Sequence, residues 1–298
     1  MIVRSRLLSI DILFALRGSI LPSIATKLAF TMVISIGAVL VAHFQQQWLT
    51  GLSPTPFTLI GLSISIFMSF RNSASYERWW EARKLWGRFV IAARSFARQT
   101  ASVAPLERRP MLIGLCAVAA GLAARLRNED ETAAIATRVS RLAAVKVPNA
   151  TDSALTMVGR ACTQLMVEGK IDPIHYSVLE NQLSEISLIQ GGCERIKATP
   201  LPFAYSLLLH RTVYLFCILL PFALAPSLGW WTLPLVVIIS YAFFGLDALS
   251  DELADPFGTE ANDLPLDAIV RTIERDLLAA AGDENLPPVL EPVAYRLS

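Results

Sequence analysis

The chain has 298 residues, of which 54% are apolar and only 17% are Asp, Glu, Lys or Arg, with a net charge of +1. A typical soluble domain carries about 25% charged residues, so a wholly water-soluble body is excluded, as are disordered and collagen-like chains. The near-zero net charge gives no footing for nucleic-acid binding.

The charge deficit is local. The 43 residues between Lys27 and Arg71 contain no Asp, Glu, Lys or Arg, and neither do the 35 between Arg211 and Asp247. The rest of the chain has an ordinary soluble charge density. A membrane-embedded part is therefore joined to a water-exposed part.

Roughly 20 apolar residues cross a bilayer core, so each charge-free stretch suits a hairpin of two crossings. The first runs from Leu28 to Phe44 and the second from Phe57 to Phe70. The third spans Val213 to Ala225 and the fourth Leu233 to Leu246. Trp48, Trp230 and Trp231 fall in the two connecting loops, where an aromatic belt sits. The second crossing has only 14 residues. At 1.5 Å per residue it covers roughly 21 Å, which suits a helix shielded inside a bundle, such as one lining a pore.

Orientation follows the excess of Lys and Arg on the cytoplasmic side. Arg4, Arg6, Arg17 and Lys27 precede the first crossing, and Arg71, Arg78, Arg83, Lys84 and Arg88 follow the second. Neither hairpin loop has a basic residue. Both termini and the long middle are expected inside. Asp11 interrupts the N-terminal apolar run, so no signal peptide is expected there.

The parts in order are then an interfacial or cytosolic helix over 1–27, a membrane hairpin over 28–70 and a cytosolic helical region over 71–210. A second hairpin over 211–248 and a cytosolic segment over 249–298 follow. Ala82, Leu85, Trp86, Phe89, Ala93 and Phe96 recur at helical spacing, so the second crossing should continue as one helix into the cytosol. Residues 111–144 and 153–197 read as further helices. Leu266, Ile269, Val270, Ile273 and Leu277 mark an amphipathic one. The proline-rich tail should be extended and lie on the body and a neighbouring subunit.

Catalytic signals are missing. No phosphate loop, nucleophile elbow, HExxH or dinucleotide fingerprint occurs. Cys116, Cys162, Cys193 and Cys217 are scattered, as reduced core cysteines would be, and His43, His175 and His210 lie far apart. No enzyme activity and no required cofactor are expected.

Three constellations stand out. In the second crossing Leu62, Ile66 and Phe70 recur at i, i+4 and i+8, beside a stripe of Gly61, Ser65 and Ser69. Small residues let another helix approach, and a ring of bulky apolar side chains can gate a pore by dewetting. Ordinary packing explains both stripes equally well. The segment RNSASYERWWEARKLWG, Arg71 to Gly87, reads as an interfacial anchor with local ion pairs or as a collar between subunits. The acidic run from Asp247 to Asp267 offers carboxylates to a hard cation such as calcium, although it does not follow an EF-hand and Asp263 equally serves as a helix cap.

The strings RGSI (Arg17–Ile20), RNSASYERWWEARKLWG, the Pro200–Pro202–Tyr205 segment and ELADPFG…NDLPLD (Glu252–Gly258, Asn262–Asp267) resemble the bestrophin family, specifically its bacterial members, over about residues 1–285. The resemblance implies an all-α multi-pass protein of the bacterial inner membrane. Its subunits would each have four membrane helices and a helical cytosolic body, and form a homopentamer in membrane lipid around one pore for small inorganic ions. By position, the family's neck falls on Leu62, Ile66 and Phe70, its cytosolic constriction on Ser177, and the calcium clasp of animal members on Glu252, Asp255, Glu260 and Asp263. Here the upper two neck rings are aliphatic, Ser177 is polar where an apolar ring is the rule, and Thr259, Ala261 and Asn262 dilute the acidic run, which argues against calcium activation.

A passive ion channel is the expected function. Leu62 and Ile66 lack the positive ring edge that favours anions, and acidic residues near the inner face attract cations, so the residues lean towards monovalent cations. Chloride or another anion in the same architecture is the alternative. A membrane scaffold or sensor without conduction is the rival from another class.

Overall fold

The computed structural model describes residues 1–3, 18–44, 53–139 and 148–298. The interfacial helix expected over 1–27, Arg4, Arg6, Asp11 and Arg17, and the loop residue Trp48, lie wholly or mainly outside them. The regular structure among the described residues is helical, apart from short bridges pairing Arg296 with Ile2 and with Val293. The helices are α1 Leu21–Phe44, α2 Thr55–Gln99, α3 Pro105–Leu126, α4 Glu131–Ala136 and α5 Ala150–Val167. They continue with α6 Pro173–Ala198, α7 Phe203–Leu228, α8 Thr232–Ala254 and α9 Leu266–Ala280.

The chain forms two compact units. One comprises Ser5–Trp79 and Pro200–Ala254, and is built on α1, the first part of α2, α7 and α8. Its core gathers Ile24, Ile64, Met68, Val213, Phe216, Leu220, Val236 and Phe244. Within α1, Thr31 donates to the Leu28 carbonyl at 2.9 Å and Ser35 to the Thr31 carbonyl at 2.7 Å. These back-bonds satisfy hydroxyls in an apolar setting. Between α7 and α8 the chain reverses through Gly229, at φ +51°, and a single 3-10 turn, Gly229–Trp231. The rings of Trp230 and Trp231 are exposed there.

The other unit comprises Met1–Arg4, Trp80–Thr199 and Asp255–Ser298. As the spacing predicts, α2 is one helix of 45 residues. Ala82, Leu85, Trp86, Phe89, Ala93 and Phe96 are all buried. The expected helix over 111–144 is broken within the described residues, and its last part, 140–144, lies outside them. It stops at Leu126, Asn128 takes a left-handed φ of 58°, and Asp130 caps α4 by accepting from Ala133 N–H at 3.0 Å. The expected helix over 153–197 is likewise two helices, divided by Gly169 at φ +68° and by Asp172–Pro173. The C-terminal tail pairs within the chain, with Val3 N–H donating to the Tyr295 carbonyl at 2.8 Å.

Three helical stretches are long and apolar enough to cross a bilayer: Leu21–Phe44, Phe203–Ala254 and Pro105–Leu126. Burial separates them. In Pro105–Leu126, 78% of the most apolar part is covered by protein, against 28% and 39% in the other two. That helix is the core of its unit. Gly121 lets it pack closely, since a Cβ there would lie 2.7 Å from Ile135 Cδ1 and Thr151 Oγ1.

Candidate functional site

The site is built on the first part of α2. Ile64, Met68, Arg71 and Ser75 are buried and define the face turned into its own unit. At 3.6 residues per turn, Leu62, Ile66 and Phe70 point roughly 170° away from that face. Their exposures are 60%, 49% and 64%. Three bulky apolar side chains thus form a continuous outward stripe. Of the small stripe, Gly61 is half-buried against the Phe216 ring, while Ser65 and Ser69 are exposed in the single chain. The opposite flank, with Leu59, Ser63 and Phe67, borders an apolar cavity of about 290 Å³ shared with Leu208 and Thr212. Tyr205 fastens this flank by donating its hydroxyl to the Phe67 carbonyl at 2.9 Å.

Immediately after Phe70, the charged side chains are used inside the unit. Arg71 is 3% exposed and donates through Nη1 to Asp247 Oδ1 at 2.5 Å. Its Nη2 pairs with Asp251. Asp247 is fully buried, and its second oxygen meets His210 Nδ1 at 2.8 Å. Ser75 and Ser250 hydroxyls share a hydrogen bond of 2.9 Å. Lys27 Nζ lies 5.3 Å from the Tyr214 ring centre, and that ring packs at a tilt of 42° against His210, with centroids 4.6 Å apart. Buried charges persist when paired and hydrogen-bonded, and this cluster ties α2, α7 and α8 together at the ends of their apolar stretches. The sequence reading missed it. The available signal was one basic and one acidic residue, Arg71 and Asp247, each directly ending a charge-free run.

Farther along α2, Tyr76 and Trp79 stack at 6.2 Å, and Arg83 lies 5.5 Å from the Trp80 ring centre. Glu81 accepts from Arg195 of α6 at 2.5 Å, so this carboxylate serves a partner distant in sequence rather than the neighbour expected on its own helix.

Ser177 is exposed in α6, and Ile174, one turn earlier on the same side, is 79% exposed. Sequence reasoning passed over this apolar side chain. The turn is set by Asp172, which accepts from Ile174 N–H at 2.8 Å and His175 N–H at 2.9 Å. Those N–H donors, His175 first, hold its carboxyl below the usual carboxylate range. A depressed folded value means stability that is present above the unfolded value of about 3.8 and lost as pH falls through the folded one. Asp172→Ala should therefore unfold at a lower temperature than the wild type at neutral pH. The gap should narrow as pH falls below the unfolded value of about 3.8, as thermal melts across pH would record.

Two of the carboxylates matched to the calcium clasp are engaged by protein groups of their own unit. Asp255 Oδ2 meets Lys197 Nζ at 2.9 Å, and Asp263 Oδ2 accepts from Glu260 N–H at 2.6 Å. Among the described residues no three His, Cys, Asp or Glu side chains form a metal-holding group. The four cysteines are buried and unbridged, and burial pushes the Cys162 and Cys193 thiols up to about 12. They are inert as nucleophiles at neutral pH.

A family model described as Bacterial/Fungal Bestrophin protein matches residues 1–279. A voltage-dependent anion channel-forming protein of Mesorhizobium japonicum is 42% identical over 298 residues, covering 98% of this chain and 95% of that protein. The voltage-dependent anion channel-forming protein YneE of Escherichia coli K12 is 39% identical over 306 residues, 98% of each. The crystal structure of a bacterial bestrophin homolog from Klebsiella pneumoniae matches with a TM-score of 0.84 and 41% identity, over 88% of this chain and 100% of that one. These similarities span nearly every element described above, and the chain, an all-α membrane protein and not an enzyme, belongs to the bacterial and fungal bestrophin family.

Proposed function

We propose that the protein is a passive ion channel of the bestrophin type, in which five copies surround one pore. Each contributes Leu62, Ile66 and Phe70 as one arc of three stacked apolar rings. The direction of that stripe carries the reading. It points away from the unit that packs α2, so a bulky apolar surface is left for a shared axis. Rings of such side chains admit ions only when wetted. Each copy crosses the bacterial inner membrane four times, through α1, the first part of α2, α7 and α8, with both termini and the helical body in the cytoplasm. The Lys and Arg surplus around the charge-free runs supports that orientation. Ser177, with Ile174 beside it, forms a second constriction on the cytosolic path.

The charge of the permeant ion follows the relatives, which carry the name of anion channel-forming proteins. This reverses the leaning drawn from counting acidic residues, and there is a physical reason. Asp247 and Asp251 are paired with Arg71, and Asp255 with Lys197, so these carboxylates contribute much less field than their number suggests. A second reading, monovalent cations, is favoured by one observation: Leu62 and Ile66 are aliphatic and offer no positive ring edge to an anion.

The test is the purified protein in planar bilayers under a potassium chloride gradient. Reversal towards the chloride equilibrium potential is the expected result, and reversal towards that of potassium selects the second reading. Ion flux into proteoliposomes no greater than into protein-free vesicles would sink the channel assignment altogether.

A further inference from the structure

The outward face of α2 does not end at Phe70. The helix runs unbroken from Thr55 to Gln99, and about 18 residues make five whole turns. Positions that far apart therefore return to the same side. The buried face keeps this register: Ile64 and Ala82, Met68 and Trp86, Arg71 and Phe89, and Ser75 and Ala93 are such pairs, and all eight residues are buried. The outward face keeps it too. Leu62, Ile66 and Phe70 recur as Trp80, Lys84 and Arg88, all exposed, and Glu77 lies roughly 20° round the helix from Ile66 and is exposed as well. The apolar stripe thus continues as a charged one. Arg88 and Glu81 are held by Glu185 and Arg195 of α6. Among the described residues Glu77 and Lys84 stand in no ion pair, so each keeps its charge for the water beside it. At 1.5 Å per residue Glu77 lies roughly 10 Å beyond Phe70, and Lys84 roughly 10 Å beyond Glu77. Salt screens charges over about 10 Å at 0.1 M, so the two levels act separately.

We propose that Glu77 and Lys84 are two opposed charge-selecting residues of the ion path. Lys84 concentrates anions beside α2, and Glu77, nearer the apolar stripe, concentrates cations. The inference rests on the pore reading above, though not on which ion dominates. Copies arranged around one axis set a ring of carboxylates at one level and a ring of ammonium groups at the next. Acidic rings favour cations and basic rings favour anions, and charges lining a narrow aqueous path raise the local concentration of the opposite ion. The net preference of the channel is then a balance between the two levels, and removing either charge tips it in a direction fixed by the sign removed.

The experiment compares the full-length wild type, Lys84→Gln, Glu77→Gln and Ile66→Ala in planar bilayers under potassium chloride gradients. At about 0.1 M salt the reversal potential should move towards that of potassium in Lys84→Gln and towards that of chloride in Glu77→Gln, and the conductances should change in opposite senses by about two-fold. At about 1 M salt screening acts within 3 Å, so both shifts should vanish. Lys84→Arg and Glu77→Asp keep their charges and should conduct like the wild type. Shifts of one sign in both variants, or shifts that persist at high salt, would overturn the proposal. So would a Lys84→Gln or Glu77→Gln protein that fails to fold, since a water-facing side chain is not needed for packing. Wild-type behaviour in both, with altered conductance in Ile66→Ala, would overturn the proposal and leave the apolar neck in place. Wild-type behaviour in all three would overturn the pore reading of α2 with it.

Discussion

Replacing Ile66 with alanine should raise single-channel conductance several-fold and increase the open fraction. Ile66 is the middle member of the outward stripe on α2, between Leu62 and Phe70, and each is at least half exposed or close to it in the single chain. Its own helix does not need it for packing, since Ile64 and Met68 carry that contact. The substitution should therefore leave folding nearly untouched. A narrow apolar ring resists wetting, and retreat of its walls lets water and then ions enter. Five copies change at once in a pentamer, so a small change per subunit becomes a large one in pore width. The control is Ile64→Ala, on the opposite face of the same turn, which should cost about 2–5 kcal/mol of stability as a buried large-to-small change. Single-channel recordings of the two variants read the contrast. Unchanged conductance and open fraction in a stable Ile66→Ala protein would remove Ile66 from the neck.

Much of this arrangement is legible in the sequence because burial in lipid and burial in protein leave different charge patterns. The two charge-free runs mark α1, α7, α8 and the first part of α2. The spacing of Trp86, Phe89 and Phe96 marks the buried face farther along α2. Helix α3 shows where apolarity alone misleads. It is apolar enough to cross a bilayer, and only three-dimensional burial reveals that Ala, Gly and Leu there serve close helix packing. Helix ends were harder to read, because single residues such as Asn128 and Gly169 set them through left-handed φ angles. The electrostatics were hardest. Acidic residues counted along the chain say nothing of which cation answers each one. Asp247 meets Arg71 across 176 residues, Asp255 meets Lys197 across 58, and Asp267 meets Arg127 across 140. The leaning towards cations rested in part on that unpaired count, beside the aliphatic character of Leu62 and Ile66.

Asp247→Ala should be the most damaging single substitution, costing about 3–5 kcal/mol. Total stabilities are typically about 5–15 kcal/mol, so much of the protein would unfold or fail to assemble. The reason is the partner left behind. Arg71 is 3% exposed and cannot recover water, and its remaining acid, Asp251, is 62% exposed and holds only the other guanidinium nitrogen. His210 loses its carboxylate as well. The buried pair is not thereby a large net gain, because desolvation offsets most of its attraction. Its value is positional. Arg71 directly follows Phe70, so the anchor on α8 fixes the rotation of α2 and with it the direction of the outward stripe. Asp247→Asn, which keeps shape and hydrogen-bonding capacity, should fold better than Asp247→Ala. The double variant Arg71→Met with Asp247→Leu should regain most of the lost stability, since well-packed apolar residues can replace a buried pair. That double variant should still conduct abnormally, because apolar contact does not set the rotation of α2 as a directed ion pair does. Thermal melts separate the first two effects and bilayer recordings test the third. An Asp247→Ala protein that melts like the wild type would refute the anchor, and a double variant with normal conductance would confine the cluster to folding.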